Sequence, residues 1–140
     1  NIKSENPNMR RVNNDLIVIQ KILLSEALSG LEMSFTHLDE REIIISYDEI
    51  IKPNKSYRVN NQGFENDGNT GDLIFNFDII FPNSLDEKRK EIINRILPVR
   101  KKKDNNGLKQ YNLVCLETNY EEHMFVDISN DTGNPECAQQ

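Results

Sequence analysis

The sequence predicts a mainly β domain over residues 14–82, one amphipathic helix over 83–98 and an extended tail over 99–140. Three observations carry this prediction. Asp72–Phe81 alternates: Leu73, Phe75, Phe77, Ile79 and Phe81 share one face, and the mostly polar set Asp72, Ile74, Asn76, Asp78 and Ile80 shares the other. Period-two alternation of this length is the pattern of a half-buried strand. Asp15–Leu23 (DLIVIQKIL) is a near-continuous apolar run, the pattern of a strand with both faces partly covered. Between Pro82 and Pro98 the apolar residues take up helical spacing.

The elements follow in chain order. Residues 1–13 are polar, hold a proline, and read as a linker or the end of a preceding domain. After the apolar strand, Ser25-Glu26-Ala27-Leu28 favours a short helix, with Ser25 as N-cap and Gly30 as the C′ residue. Met33 and Phe35 point one way in the next strand. His37-Leu38-Asp39-Glu40 make a turn, and Glu42–Tyr47 returns. Asp48–Lys55 is a loop containing Pro53, and Ser56–Asn60 is a further strand. Asn60–Phe64 turns, and Glu65–Thr70 is a polar loop with the turn signal Asp67-Gly68. Phe35, Ile43, Ile45, Val59, Phe75 and Phe77 are the expected core.

Pro82 cannot donate to a ladder and ends the alternating strand. Ser84-Leu85-Asp86-Glu87 reads as a capping box, with Ser84 as N-cap. Asp86 and Glu87 suit the positive end of the helix dipole, and Arg95 the negative end. Leu85, Ile92 and Ile96 fall on one stripe, with Ile93 and Leu97 beside it. From the residues alone, that stripe covers either its own sheet or a second copy. Beyond Pro98, Arg100-Lys101-Lys102-Lys103 reads first as a solvated helix end and second as an interaction patch. Asp104–Gly107 is a turn. Lys109–Thr118 alternates Tyr111, Leu113 and Cys115 against Asn112, Val114 and Leu116, a strand suited to an exposed sheet edge, its own or a partner's.

Composition bounds the function. The net charge of −6 argues against general affinity for nucleic acid. No apolar run approaches the roughly 18 residues of a membrane helix. Cys115 and Cys137 form no metal framework and force no disulfide. His37 and His123 stand apart, and no nucleophile–base pair, carboxylate cluster or Gly-rich phosphate loop is legible. The expectation is a chain that is not an enzyme and holds no cofactor. Residue 1 is not Met and no signal peptide is visible, so a fragment of a longer protein is expected. Asn54-Lys55-Ser56 and Asn130-Asp131-Thr132 match the glycosylation sequon and are read as chance in an asparagine-rich chain. Cys137-Ala138-Gln139-Gln140 matches the C-a-a-X prenylation pattern, in which a final Gln favours farnesyl.

Two segments together, Leu24–Gly30 (LSEALSG) and Gly71–Pro82 (GDLIFNFDIIFP), resemble the C-terminal region of the DnaJ-type (J-domain) co-chaperones. The resemblance covers about residues 8–98, including the capped helix that ends in ILPVR, and extends loosely into the tail, where the Cys137 box is similar to that of class A members. It implies a small β-sandwich-like substrate-binding domain, the second C-terminal domain of the family, followed by a dimerisation helix. Leu85, Ile92, Ile93, Ile96 and Leu97 are then the dimerisation residues and Cys137 the lipidation site. The implied partners are a second copy, unfolded client polypeptides and the seventy-kilodalton heat-shock chaperone. The last is reached through a J domain whose His-Pro-Asp triplet is absent from this sequence. The zinc domain of class A would lie upstream. The implied location is cytoplasmic, with partial membrane association through one farnesyl group. Two other readings stay open: a class B co-chaperone, and a β-rich adaptor without chaperone activity. The sequence departs from the family at Glu40, where a hairpin glycine is usual, and at Asn60–Phe64, where only Gly63 of the usual glycines remains. A type I′ turn needs positive φ at the Glu40 place, so a longer or different turn is expected.

Overall fold

The computed structural model describes residues 6–117. The chain divides into two units, residues 1–98 and 99–140. In the first, β1 (Met9–Val12) and β2 (Asp15–Leu23) lead into α1 (Leu24–Ser29). The hairpin β3 (Leu31–Thr36) and β4 (Glu42–Tyr47) follows, then β5 (Ser56–Val59), β6 (Glu65–Asn66), β7 (Asn69–Thr70), β8 (Leu73–Ile80) and α2 (Glu87–Ile96).

The main sheet has the order β1-β2-β8-β5. At its centre β2 and β8 run parallel, from Leu16 opposite Leu73 to Leu23 opposite Ile80. A parallel pair needs a long crossover; here the crossover holds every element from α1 to β7. Antiparallel β1 and β5 form the edges. The polar segment ahead of Asp15, in which no strand was expected, thus supplies an edge strand. The β3–β4 hairpin forms the second layer. Phe35 and Ile45 from it meet Leu16, Val18, Leu73 and Phe75 from the sheet in one buried cluster, with Phe35 edge-on to Phe75 at 5.2 Å between ring centres. A second cluster joins Ile22, Ala27, Leu31 and Ile51.

The alternation read in Leu73–Ile80 holds: Leu73 and Phe75 are buried and Phe77 packs against the core. The apolar run of β2 behaves differently from its pattern. Leu16, Val18 and Ile22 are buried on one face, while Ile19 on the other is half exposed. Of the expected core, Phe35, Ile45 and Phe75 are buried, whereas Ile43, Val59 and Phe77 lie at its margin. Ile51 was read as loop, yet it is buried, and its N–H donates to the Ala27 carbonyl at 2.8 Å.

The turns show how the departures from the family pattern are accommodated. The β3–β4 loop is longer than a two-residue I′ turn. The Glu40 N–H donates to the His37 carbonyl, and the His37 N–H donates to the Arg41 carbonyl. Glu40 takes φ +68°, so this loop has a left-handed residue after its turn, a place glycine fills more easily. Asp67-Gly68 has positive φ at both residues, as a type I′ turn requires, and closes the small β6–β7 hairpin. Gly63 is the glycine the loop cannot lose. A Cβ on it, or on Gly71, would run into the Asn14 backbone, because all three segments meet there through Phe64 N–H to Asn14 O (2.7 Å) and Gly63 N–H to Gly71 O (2.9 Å).

Both helix caps differ from the expected ones. The N-cap of α1 is Leu23, not Ser25; the Leu23 N–H donates to the Glu26 carboxylate at 2.8 Å, and Ser25 lies inside the first turn. The chain leaves β2 directly into the helix, so there is no loop position for Ser25 to occupy. In α2 the N-cap is Asp86, not Ser84. Its carboxylate accepts from the Arg89 N–H at 2.9 Å and also meets the Arg89 guanidinium at 2.6 Å. Asp86 satisfies an orphan donor and places charge at the dipole's positive end in one residue, an advantage Ser84 lacks. Leu97 and Pro98 end α2 as expected.

In the second unit the described residues, 99–117, hold no helix or strand. The turn at Asp104–Gly107 is present, with Leu108 N–H donating to Asn105 O at 3.0 Å. The expected strand at 109–118 is not formed over its described part. It has no ladder partner there, and Tyr111, Leu113 and Val114 are exposed.

Candidate functional site

The parallel register ends β2 and β8 at the same edge of the fold, Leu23 beside Ile80. From there α1 departs after Leu23, and Phe81-Pro82 carries the chain toward α2. These two exits and α2 enclose an apolar groove of about 400 Å³. Leu23, Leu28, Ile80, Phe81, Leu85 and Ile93 form its walls. Four of these, Leu23, Leu28, Ile80 and Phe81, are strongly exposed for large apolar residues. Clustered exposed apolar surface of this kind marks an interaction site more often than scattered single residues do.

The helix beside the groove is unusual within this fold, because α2 buries none of its residues. The five residues, expected as a stripe of Leu85, Ile92 and Ile96 with Ile93 and Leu97 beside it, separate differently. Leu85 lies before the helix and, with Ile93, lines the groove. Ile92, Ile96 and Leu97 face away, with Ile96 71% exposed. Ile92 and Ile96 are one turn apart and share a line distinct from that of Ile93, while Leu97 lies past the helix as its extended C-cap residue. Cys137 lies outside the described residues. The groove residues from β2, α1 and β8 were not singled out by sequence. The only local sign was apolar Ile80 closing the polar face of an alternating strand next to Phe81.

The charge around the groove does little to fix geometry. Asp86 with Arg89 and Glu87 with Lys90 form exposed pairs, each worth less than about 1 kcal/mol. The Asp39 carboxyl in the β3–β4 loop is held below its ordinary value. The Arg41 side chain, then the Arg41 N–H, donates to it and lowers its pKa below 3.8. Nearby, the His37 ring takes the Leu38 N–H on Nδ1 (2.8 Å) and donates through Nε2 to the Gln62 carbonyl (2.6 Å), joining two loops. This is a buried histidine with both nitrogens engaged, and its partners are structural. Among the described residues no group of His, Cys, Asp or Glu is placed to hold a metal ion, and no helix is long and apolar enough to cross a membrane.

Comparison with known proteins agrees with the architecture. Residues 1–82 match the family described as DnaJ C terminal domain. DnaJ homolog subfamily B member 11 of Rattus norvegicus is 39% identical over 108 residues, 72% of this chain and 30% of that protein. DnaJ protein ERDJ3B of Arabidopsis thaliana is 38% identical over 89 residues, 62% of this chain and 26% of that protein. DnaJ protein homolog 2 of Allium porrum is 31% identical over 103 residues, 70% of this chain and 25% of that protein. The chain thus spans between a quarter and a third of these relatives. The sheet that ends in the groove and the sequence matches lead to one assignment: the chain belongs to the DnaJ C-terminal domain family.

Proposed function

We propose that this chain is the client-holding, self-pairing region of a DnaJ-type co-chaperone, acting without catalysis of its own. One observation carries the proposal: α2 buries no residue and presents Ile92 and Ile96 to solvent beside an apolar groove. A second copy offers the same stripe, and isologous pairing would cover both. Two arms per dimer raise the effective concentration of the second arm once the first holds a client. Extended, apolar client segments are the matching ligand for an open groove of this chemistry. Delivery to the seventy-kilodalton heat-shock chaperone belongs to a J domain that this sequence does not contain.

The proposal includes farnesylation of Cys137 and a cytoplasmic protein partly held at membranes. The Cys137 sulfur would displace diphosphate from farnesyl diphosphate, forming a thioether and releasing the thiol proton. The Cys137–Gln140 box supports class A. The 39% identity to a protein named as subfamily B supports class B, and C-x-x-C repeats in the protein upstream of this region would decide. The test of client holding is aggregation of several unrelated unfolded proteins with and without the chain. The expected result is suppression for several of them, reduced by Phe81→Ser at the groove. Protection of only one of them, or of none, would weaken the chaperone reading and leave the adaptor reading in its place.

A further inference from the structure

The second unit opens with four consecutive cations, Arg100, Lys101, Lys102 and Lys103. All four are exposed, and among the described residues none joins a salt bridge. Their position removes the simplest explanation. Helix α2 ends at Ile96, and Arg95 already occupies its last turn. The dipole acts within that last turn only, so cations beyond Pro98 have no part in stabilising the helix.

The charge of this unit is also segregated. Residues 99–109 carry five Lys or Arg and one carboxylate, whereas residues 110–140 carry six carboxylates and no Lys or Arg. Glu136 stands directly before Cys137. A single isoprenoid chain gives only marginal membrane binding, and stable binding takes a second signal. An acidic flank would weaken it further on an anionic surface. The basic run has the opposite sign. It contains no aromatic residue to stack on bases, and the chain as a whole is acidic, so a lipid surface fits it better than nucleic acid. The 34 residues from Lys103 to Cys137 span at most about 110 Å, more than enough for both to meet one bilayer face.

We propose that Arg100–Lys103 binds the anionic headgroups of a membrane surface. Where Cys137 carries a farnesyl group, the run is the second signal of a two-part anchor; that coupling rests on the farnesylation reading above, while the headgroup contact does not.

The test is partition of the full chain onto vesicles of phosphatidylcholine, alone or mixed with phosphatidylserine, at roughly 0.15 M salt, where the Debye length is about 8 Å. Four preparations are compared: unmodified and farnesylated chain, each with its own sequence and as R100Q/K101Q/K102Q/K103Q. Near an anionic surface each cation strengthens binding about fivefold. The farnesylated chain should therefore prefer serine-containing vesicles by roughly 600-fold, the product of four such factors. The quadruple variant should lose that preference while keeping its binding to neutral vesicles. The unmodified chain should show a weaker preference of the same sign that fades as salt rises. If Cys137 cannot be farnesylated, this last preference still supports the headgroup contact and only the two-part anchor falls. Equal binding of the run and its neutral variant to serine-containing vesicles overturns the proposal. The neutral variant should match the parent in thermal unfolding, because the replaced residues touch no core.

Discussion

Replacing Ile92 and Ile96 together by Asp tests whether α2 is an interface. Ile96 is 71% exposed and Ile92 43% exposed in the single chain. Burying an Ile side chain fully is worth roughly 2 kcal/mol. Hiding what remains exposed then contributes about 1.4 kcal/mol at Ile96 and about 0.9 kcal/mol at Ile92. In a two-fold interface each residue counts twice, which brings the pair to about 4.6 kcal/mol. At about 1.4 kcal/mol per decade, losing it raises the dimer dissociation constant by more than three decades. The added carboxylates, brought together in such an interface, would repel and increase the loss. Fold stability should hardly change, within about 0.5 kcal/mol, because no α2 residue is buried in its own chain. Light scattering across a dilution series gives the mass, and thermal unfolding reports the fold. The expected pair of results is a dimer for the parent chain and a folded monomer for the variant. A monomer in both would refute the reasoning. So would a variant that unfolds, since that would mean Ile92 and Ile96 pack against their own sheet.

Two further outcomes follow from the loops and caps. Asp86→Ala should cost about 1 kcal/mol of local helix stability, seen as faster amide exchange at Arg89 and Lys90, while Ser84→Ala should leave exchange unchanged; equal effects would return the cap to Ser84. The Asp39 carboxyl should titrate below its ordinary 3.8 by proton-detected shifts, and in Arg41→Gln it should return toward that value. Because its folded pKa is the lower one, the loop's contribution to stability is complete above pH 3.8 and is lost as pH falls through the folded value. A titration at or above 3.8 in the parent chain would contradict the Asp39–Arg41 geometry.

Local patterns made much of the sheet legible. Strict alternation in Leu73–Ile80 needs only the pleat to decide which face is buried, and the expected face is the buried one. Asp67-Gly68 and the prolines at 82 and 98 act through backbone chemistry that travels with the residue, and they hold their expected places. The misreadings fall where a partner decides. Met9–Val12 has three polar or charged neighbours for each apolar residue in its surroundings and becomes a strand through the edge that β2 offers. Ile51 sits in a polar loop and is buried because its side chain packs with Ile22, Ala27 and Leu31, from elements distant in sequence, while its N–H donates to the Ala27 carbonyl. Tyr111–Leu116 alternates too, yet alternation alone forms no strand there, because a ladder needs a partner and none is paired with it among the described residues.

The groove shows why a site can be less legible than the fold that builds it. Leu23 and Ile80 lie 57 residues apart and are neighbours only because β2 and β8 pair in parallel. Each belongs, in its own stretch, to a strand whose pattern is already explained. Helical spacing, by contrast, was enough to select Ile92, Ile93, Ile96 and Leu97 as the apolar residues of α2. Spacing cannot say which neighbour a stripe covers. That depends on where the preceding strand releases the helix, and here Pro82 and the late cap at Asp86 turn only Leu85 and Ile93 inward. The outward line of Ile92 and Ile96 is therefore a consequence of the cap position. Moving the helix start would rotate the stripe, and the surface offered to a second copy would change with it.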